Sequence, residues 1–402
     1  MDSKPPHRVG IYLALVQFLF TLTWTVYVIY LPQLAAQAGI PKRAVVYILL
    51  LDQLIFVLAD YAVGVAADRV SRILGKLGHL VLGITLASCL AFLLLPFAAP
   101  QGAAWLFLLL TIVWAVSSSA LRAPPFMLIG KYAAQPSVPW LSALSLFGLG
   151  IAGALGPVLT LKLTGIDPRI PFALSSVALA LATLGIMWGE RTLARSLGAP
   201  APAATTAASQ PAPWLISFLV AVLLLGLGYQ VHFALNSAPL YLRFAKPDQI
   251  PYLMPVFWIG FSVLMPPASF ATRRYGGVAV AGFGAGVAAI AVLVGAHAGN
   301  LETLIAMQFI AGGGWGCVLM SAFAAALAIG HTGREGKMTG GLFSLLALAA
   351  FARIAVIAAE LNKDPSFAGL LTWIPVVAWA TAALILLLLL PKARRPAAAA
   401  AA

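Results

Sequence analysis

The chain has 402 residues, of which 62% are hydrophobic and only 9% are charged, and its mean hydropathy is +1.00. Soluble domains carry about 25% charged residues, so this composition excludes a soluble enzyme. The net charge is +13, but the basic residues lie in short loops between apolar segments, which is typical of membrane topology rather than of nucleic-acid binding. We therefore predict an all-α polytopic membrane protein in a lipid bilayer, with no nucleic-acid partner.

Apolar segments long enough to cross a bilayer, about 20 residues each, recur along the whole chain. The first is too long for the apolar region of a signal peptide and lacks a small-residue cleavage site, so we predict a retained helix. Cys89 and Cys317 lie inside apolar segments, where a thiol is typical of a small core residue rather than of a disulfide or metal site. The twelve predicted spans are residues 11–34, 44–66, 79–98, 104–131, 140–163, 171–189, 214–242, 251–271, 278–297, 301–330, 339–361 and 370–391.

The distribution of basic residues predicts the orientation in the membrane. An even number of spans puts both termini on the same side. Of the 24 lysines and arginines, fifteen fall on the side of the N-terminus and seven on the other side, while Arg122 and Arg353 lie inside spans. The positive-inside rule then makes both termini cytoplasmic, and we place the protein in a bacterial inner membrane.

A stretch rich in Pro, Ala and Thr, residues 190–213, follows the sixth span and is typical of a flexible linker. It divides the chain into an N-terminal six-helix bundle, residues 1–189, and a C-terminal six-helix bundle with a short cytoplasmic tail, residues 214–402.

The two halves resemble diverged copies of one repeat. YL at 30–31 and IP at 40–41 return as YL at 241–242 and IP at 250–251. Two six-helix repeats predict a pair of bundles with a site between them, moved by rocking one bundle against the other.

A glycine and three charged residues mark the loop between the second and third spans. Gly64, Asp68, Arg69 and Arg72 resemble the G-x-x-x-D-R-x-G-R signature of the major facilitator superfamily, with Ser71 in place of a glycine. The resemblance extends over the whole chain, since it includes the twelve spans, the six-plus-six repeat and the central linker.

This resemblance implies the superfamily fold and a transport function. It also implies that the loop is a latch, which holds one conformation and releases it during the cycle. In the second half, SFATRRYGG at 269–277 has Arg273 where the first half has the acid. The alternative is that these are basic residues that only set the topology.

Ionisable residues at membrane depth are functional candidates because they are costly there. Asp52 and Arg353 both lie roughly 12–14 Å below the outer boundary at a rise of 1.5 Å per residue. In the superfamily fold their helices face each other between the bundles, so we predict an interbundle pair that helps to close the outer gate. Asp60 and Arg122 lie at matching depth within one bundle, and this pair is consistent with either a structural or a functional role. Glu360, near the outer surface, is also consistent with a solvated residue.

The resemblance implies that spans one, four, seven and ten line the substrate cavity. Aromatic walls with a few polar groups suit a small-molecule site, although each aromatic residue is also consistent with ordinary packing. The predicted cavity residues are Gln17, Trp24, Tyr27, Trp114, Arg122, Tyr229, Asn236, Gln308 and Trp315.

The charge of this cavity predicts the class of substrate and the proton carrier. The four helices hold no Asp or Glu except Glu302 at the outer mouth, so we expect an anionic, zwitterionic or neutral amphiphilic substrate rather than a cation. Histidine changes its charge near neutral pH, which makes His232 the candidate proton carrier, with Asp52 as its rival. A buried histidine with a purely structural hydrogen bond is the alternative.

The fifth span contains GLGIAGALGP, residues 148–157, whose first six letters match the G-x-G-x-x-G pattern of dinucleotide-binding loops. That loop needs a strand before it and a helix after it, whereas here the segment lies inside an apolar span. We instead predict a packing seam against the eighth span, formed by Gly148, Gly153, Gly156 and Pro157. These residues also resemble the Gly-rich motif of drug/proton antiporters in the superfamily.

These features together predict a proton-coupled secondary transporter of a small organic molecule. Export is favoured by the fifth-span motif, and proton-coupled uptake is the alternative. The chain contains no ATP-binding G-x-x-x-x-G-K-[ST] sequence and no nucleophile elbow, so we predict neither an enzyme nor a cofactor or metal, and we expect a monomer. A non-transporting receptor or scaffold on the same fold stays open as a further alternative.

Overall fold

The computed structural model describes residues 7–74, 77–133, 135–196, 210–330 and 333–393. In this part of the chain, twelve helices are long and apolar enough to cross a membrane. Helices are expected because backbone polar groups in hydrocarbon must bond within their own segment. They are α1 (His7–Gln37), α2 (Lys42–Ser71), α3 (Leu77–Gln101), α4 (Ala104–Tyr132), α5 (Val138–Leu163), α6 (Arg169–Arg195), α7 (Ala212–Tyr241), α8 (Pro247–Tyr275), α9 (Gly277–Ala296), α10 (Leu301–Gly330), α11 (Glu335–Ala358) and α12 (Gly369–Leu390).

The twelve predicted spans are confirmed, and most of the helices extend past the predicted ends. An even number of crossings puts the start of α1 and the end of α12 on one side of the membrane, which we call the terminal side. Beyond the membrane-spanning ranges, the helical backbone of α2 continues to Leu74 and that of α6 continues to Ser196. Residues 197–209 of the predicted linker lie outside the described residues.

Two helices change their hydrogen-bonding pattern within the membrane. In α4 a 3-10 turn, Ser119–Leu121, precedes Arg122, and Pro124 and Pro125 follow at the start of the next α-helical segment. Proline is tolerated there because the first amides of a helix have no internal partner. In α7 a π-helical segment, His232–Asn236, interrupts the α-helix, and such segments are frequent at functional sites.

The contacts between helices follow the internal repeat. Helix α1 packs on α5 and α6 and α3 packs on α4, while α10 packs on α8 and α9 and α12 packs on α7 and α9. We call α1–α6 the N-bundle and α7–α12 the C-bundle. The bundles meet chiefly where α2 packs on α11 and where α5 packs on α8, and α4 also contacts α10 and α11. Since α2 and α8 occupy corresponding places in the two halves, as do α5 and α11, the two main contacts are pseudo-equivalent.

Candidate functional site at the interface between the bundles

Helices α2 and α11 cross closely on the terminal side because three glycines meet there. A Cβ atom on Gly64 would overlap the carbonyl group of Gly336, and a Cβ on Gly340 would lie 2.5 Å from the carbonyl oxygen of Asp60. Both separations are shorter than van der Waals contact, so only glycine fits. Small residues allow such direct backbone contact between membrane helices, and here the contact joins the two bundles.

The carboxylate of Asp68 joins the same two helices. Its Oδ1 accepts a hydrogen bond from the backbone N–H of Gly336 at 2.7 Å, and its Oδ2 accepts one from Lys337 at 2.8 Å. These amides belong to the first turn of α11, where the helix dipole also favours a negative charge. Asp68 is buried, so the contact is a charge-assisted, bidentate link between the bundles.

The other residues of the predicted latch lie around this link. Arg69 is exposed, and the side chain of Arg72 lies outside the described part of the structure. Ser71, which departs from the signature, accepts a hydrogen bond from Lys131 Nζ with its hydroxyl oxygen. Its backbone carbonyl oxygen lies 3.4 Å from the same Nζ. The substituted position therefore ties the end of α2 to the end of α4.

Aromatic rings close the terminal half of the interface further into the membrane. Phe126 of α4 stacks on Phe323 of α10, with ring centroids 4.4 Å apart, and Phe343 of α11 lies 4.7 Å from Phe323. Phe126 and Phe323 are fully buried. Together with the glycine crossing and the Asp68 link, these rings show that the terminal side is closed in this conformation.

The predicted seam on α5 faces two partners rather than one. A Cβ on Gly148 would overlap the carbonyl of Ala14 in α1, and the nearest atom to a Cβ on Gly156 is Thr25 Cγ2 of α1, at 3.8 Å. A Cβ on Gly153, in contrast, would clash with the Trp258 ring of α8. The prediction that Gly148 and Gly156 face α8 is therefore wrong: they pack within the N-bundle.

The interface with α8 is formed by a different pair of glycines. Gly150 meets Ser262 and Phe261, and Gly153 meets Trp258. Pro157 lies inside the helix, after this pair. Gly148 and Gly156, eight residues apart, do lie on one face of α5, but the residue pattern alone does not show which neighbouring helix covers that face.

In the N-bundle, Asp52 lies at the base of an aromatic cluster. The Tyr27 hydroxyl donates to Asp52 Oδ2 at 2.8 Å. Tyr27 lies 4.5 Å from Trp114 between ring centroids, and Trp24 stacks on Trp114 with their planes 15° apart. Asp52 is fully buried and its Oδ1 has no hydrogen-bond partner among the described residues.

The matched-depth prediction for Asp60 and Arg122 is confirmed. Arg122 Nη1 lies 2.8 Å from Asp60 Oδ2, and Asp60 is fully buried. The guanidinium also covers the ring of Phe56, with 3.8 Å between Cζ and the ring centroid. The charge of Arg122 is therefore already satisfied within the N-bundle.

In the C-bundle, His232 belongs to a buried polar network at the π-helical segment. Its Nε2 lies 3.0 Å from Gln308 Oε1, Gln308 Nε2 donates to Ser237 Oγ at 3.2 Å, and Ser237 Oγ donates to the carbonyl of His232 at 3.0 Å. His232 Nδ1 has no partner in the described structure. The network joins α7 to α10 and supports the extra residue of the π segment.

Two further predicted cavity residues bond to backbone within their own bundle. Gln17 Nε2 donates to the carbonyl of Leu121 at 2.9 Å, and Asn236 Nδ2 donates to the carbonyl of Leu371 at 2.8 Å. The carbonyl of Leu121 belongs to the 3-10 turn of α4, and that of Leu371 belongs to α12. Both bonds pair a polar side chain with a backbone carbonyl of another helix, as buried polar groups require.

A stack of rings forms the core of the C-bundle next to the interface. Tyr229 and Trp315 are almost parallel, with planes 2° apart and centroids separated by 4.7 Å, and Trp315 is within 10° of Trp379. Arg353 of α11 is half-buried. Its Nε is buried without a hydrogen-bond partner among the described residues.

The predicted Asp52–Arg353 pair is not formed in this conformation. Among the described residues, the ion pairs within 4.0 Å are Asp60–Arg122 and the surface pair Glu360–Lys363. Asp52 bonds to Tyr27 instead. Glu360, two residues after the end of α11, has a left-handed backbone conformation with φ 57° and is exposed. The interpretation of Glu360 as a solvated surface residue is therefore correct.

Comparison with solved structures shows which fold these helices form. No protein-family model matches the chain, and no curated protein matches it in sequence. In structure it is similar to the human organic anion transporter MFSD10 (TM-score 0.67, 16% identity, 96% of this chain and 99% of that one). It is also similar to the major facilitator superfamily proton:xylose symporter XylE (TM-score 0.72, 13% identity, 95% of each chain). A bacterial homologue of the iron transporter ferroportin, in an outward-facing state, gives TM-score 0.71 at 12% identity over 94% of this chain and 98% of that one.

The chain has the major facilitator superfamily fold.

Within this fold the two pseudo-equivalent interbundle contacts differ on the terminal side. At the α2–α11 contact, Asp68 and the glycine crossing fill the space. At the α5–α8 contact there is a cavity of about 390 Å³ instead, between α5, α8, α9 and α10. The counterpart of Asp68 there is Arg273, which lines this cavity and is exposed.

Sequence reasoning missed one buried carboxylate of the same kind as Asp68. Glu190, near the end of α6, accepts hydrogen bonds from the backbone N–H groups of Leu77 and Gly78 at 2.9 and 2.8 Å, which are the first amides of α3. It is buried, and its two bonds hold the start of α3, which follows α2 in the chain. An acidic residue at the end of an apolar span, on the side with the latch, was the signal that could have identified it.

Proposed function

We propose that the chain is a secondary active transporter that moves a small organic solute by alternating access and couples this movement to protons. The observation that carries the proposal is the form of the closed contact between the bundles. At the crossing of α2 and α11, backbone touches backbone at glycines and one carboxylate of α2 bonds to two amides of α11, so no interlocked side chains have to unpack at this crossing when the bundles separate. Such contacts suit an interface that opens and closes repeatedly.

Asp52 supports proton coupling. It is fully buried, it has one uncharged hydrogen-bond partner, and one of its oxygens is unpartnered. An ionised carboxylate is costly in such a place, so the group gains by holding a proton in this conformation. We assign the proton carrier to Asp52, with His232, whose Nδ1 is also unpartnered, as the second candidate.

The Asp52–Arg353 pair remains our proposal for the outer gate. The antiparallel helices α2 and α11 are in register at Gly64 and Gly336, and Phe56 and Ala347 belong to one cluster. Continuing this register outward brings Asp52 and Arg353 to the same level within about one turn. We expect the pair to form when the terminal side opens and the opposite side closes, which explains why it is open here.

We propose export as the direction of transport, because the glycines and proline of α5 resemble the motif of drug/proton antiporters. Proton-coupled uptake is the second candidate, and a specific observation favours it. If Asp52 takes up a proton, Arg353 is released for an anion, so that proton and anion would bind together and cross in the same direction. Similar folds occur in proteins named as proton symporters.

The charges of the interface support an anionic, zwitterionic or neutral substrate. Asp60 is neutralised by Arg122, and Asp52 bonds to Tyr27 and is our proposed proton carrier, so we expect neither carboxylate to bind a cation in this conformation. MFSD10, which has a similar fold, is named as an organic anion transporter. The basic loops on the terminal side support cytoplasmic termini in a bacterial inner membrane, and we propose that the transporter acts as a monomer.

Proteoliposomes with an imposed pH gradient test this function. We expect solute-dependent proton flux from the wild type and none from Asp52→Asn, while Asp248→Asn, an exposed residue on the opposite side, keeps the wild-type flux. Exchange of protons against the solute identifies export, and movement in the same direction identifies uptake. Absence of any solute-dependent flux across a broad panel would point to a receptor or scaffold instead.

A further inference from the structure

Arg353 is a half-buried cation at this interface, and its bonding differs from that of Arg122. Its Nε is buried and has no hydrogen-bond partner among the described residues. Arg122, the other cation inside a predicted span, has both Asp60 and the Phe56 ring. A guanidinium in the membrane interior is costly without a partner, and an anion that reached it would recover part of that cost through charge-assisted hydrogen bonds.

Packing between α7 and α11 places Arg353 beside an aromatic platform. A Cβ on Gly226 of α7 would lie 3.1 Å from Ala349 Cβ of α11, so the two helices approach closely there. Both helices run from the terminal side to the opposite side. One turn further along each helix come Tyr229 and Arg353, so these two residues lie at the same level of neighbouring helices.

The platform itself is rigid and flat. Tyr229 is partly exposed and lies parallel to the buried Trp315, which in turn stacks on the buried Trp379. Three nearly parallel rings restrict each other, so little conformational entropy is lost when a further planar group packs against Tyr229.

We propose that the transported solute is an aromatic organic anion, whose anionic group binds Arg353 and whose ring packs on Tyr229. This inference rests on the proposed transport function and names the substrate class of the same site. An aliphatic anion satisfies the guanidinium but gains nothing from the flat ring. An aromatic cation gains from the ring but is repelled by Arg353. The anion also occupies Arg353 while Asp52 is held by Tyr27, so binding belongs to the conformation seen here.

Binding of charged probes to the full-length protein in nanodiscs tests the proposal without requiring transport. The probes are 1-naphthalenesulfonate, octane-1-sulfonate and a naphthyl trimethylammonium cation, all of which keep their charge at neutral pH. We expect 1-naphthalenesulfonate to bind most tightly and to raise the unfolding temperature. Arg353→Gln should weaken its binding about 10- to 100-fold, the range expected for one lost charge-assisted hydrogen bond.

Further variants separate a binding role from a folding role. Arg353→Lys should bind with intermediate affinity, because it keeps the charge but loses the planar fork. Tyr229→Phe should retain ring selectivity and Tyr229→Leu should lose it. Arg243→Gln is the matched control, since Arg243 bonds to backbone carbonyls at the opposite side and should leave binding unchanged.

The outcomes distinguish this proposal from the proposed function. If 1-naphthalenesulfonate fails to bind the wild type, if the cation or the aliphatic sulfonate binds equally well, or if Arg353→Gln binds as tightly, the substrate class is wrong. Transport of another solute would then still support the function. Selective binding without any flux in proteoliposomes would support the site and overturn the transport function.

Discussion

Replacing Asp68 with asparagine should shift the protein towards the conformation that is open on the terminal side. In the closed state, Asp68 accepts two hydrogen bonds from the first amides of α11. Charge-assisted hydrogen bonds contribute about 1.5–3 kcal/mol each, and the helix end adds up to about 1 kcal/mol. Asparagine offers one carbonyl oxygen and forms one neutral bond of about 1 kcal/mol.

The net loss is smaller than the sum of these contributions, because burying the carboxylate is itself costly. We expect the closed state to lose about 2–3 kcal/mol relative to the open state, which changes their ratio about 30- to 150-fold. We expect the bonds to Gly336 and Lys337 to break when the bundles separate, so the substitution should act on the closed state alone. Stability against global unfolding should change little if the open state is itself folded.

Alkylation of a buried cysteine measures this ratio over a wide range. Ala347 is buried at the junction of α2, α4 and α11, about 18 Å along the helix from Glu335. In a background with Cys89→Ala and Cys317→Ala, Ala347→Cys should react with an impermeant maleimide from the terminal side at a rate proportional to the open population. Asp68→Asn should raise that rate about 30-fold or more.

The matched control is Asp248→Asn, because Asp248 is exposed on the opposite side. It should leave the alkylation rate within about twofold of the wild type, because surface substitutions usually change free energies by less than about 0.5 kcal/mol. An unchanged rate in Asp68→Asn, in protein that elutes as a single species and melts like the wild type, would refute the idea that this carboxylate holds the bundles together.

The remaining predictions concern the α5 interface and the buried ion pair. Gly153→Leu should abolish transport at near-normal expression, because a side chain there meets Trp258 of the other bundle, whereas Gly156→Leu should stay near wild-type activity; equal defects in flux would contradict the assignment. Arg122→Gln should lower the free energy of unfolding by about 3–5 kcal/mol, the cost of an uncompensated buried charge, because Asp60 loses its partner. The measurement is a strongly lowered unfolding temperature in detergent. Adding Asp60→Asn should restore much of the stability; a double variant as unstable as the single one would show that the pair is not the cause.

The number and order of the helices could be predicted because the bilayer leaves few alternatives. A long apolar segment in hydrocarbon must be helical, so hydropathy alone identified all twelve. The residues of the predicted latch could be identified from residue type, since Gly64 is a glycine where backbones touch and Asp68 is an acid beside the start of a helix; their role as a latch stays a prediction. What the sequence could not show was that the partner of Asp68 is a pair of backbone amides 268 residues away, since amides leave no mark in a sequence.

Depth along a helix is predictable from the sequence, but direction around it is not. Counting residues placed Asp60 level with Arg122, and they pair. The same counting placed Asp52 level with Arg353, yet Asp52 turns towards Tyr27 of its own bundle. Periodicity likewise put Gly148 and Gly156 on one face of α5 without showing that α1 covers that face. Rotation about the helix axis depends on which neighbours fill the space, and that is decided by packing of the whole bundle.

The asymmetry between the two interbundle contacts is the reason we expect a single carboxylate to control the closed state. Pseudo-symmetry gives the protein two places on the terminal side where an acid of one bundle could cap a helix of the other. At the α2–α11 contact Asp68 does so. At the α5–α8 contact the corresponding residue is Arg273, and a cavity of about 390 Å³ lies beside it. A cation cannot accept hydrogen bonds from helix amides, so the second contact offers no equivalent bond to compensate for loss of the first. We therefore expect a substitution at Asp68 to change the stability of the closed terminal side, because the described residues of the α5–α8 contact form no equivalent bond.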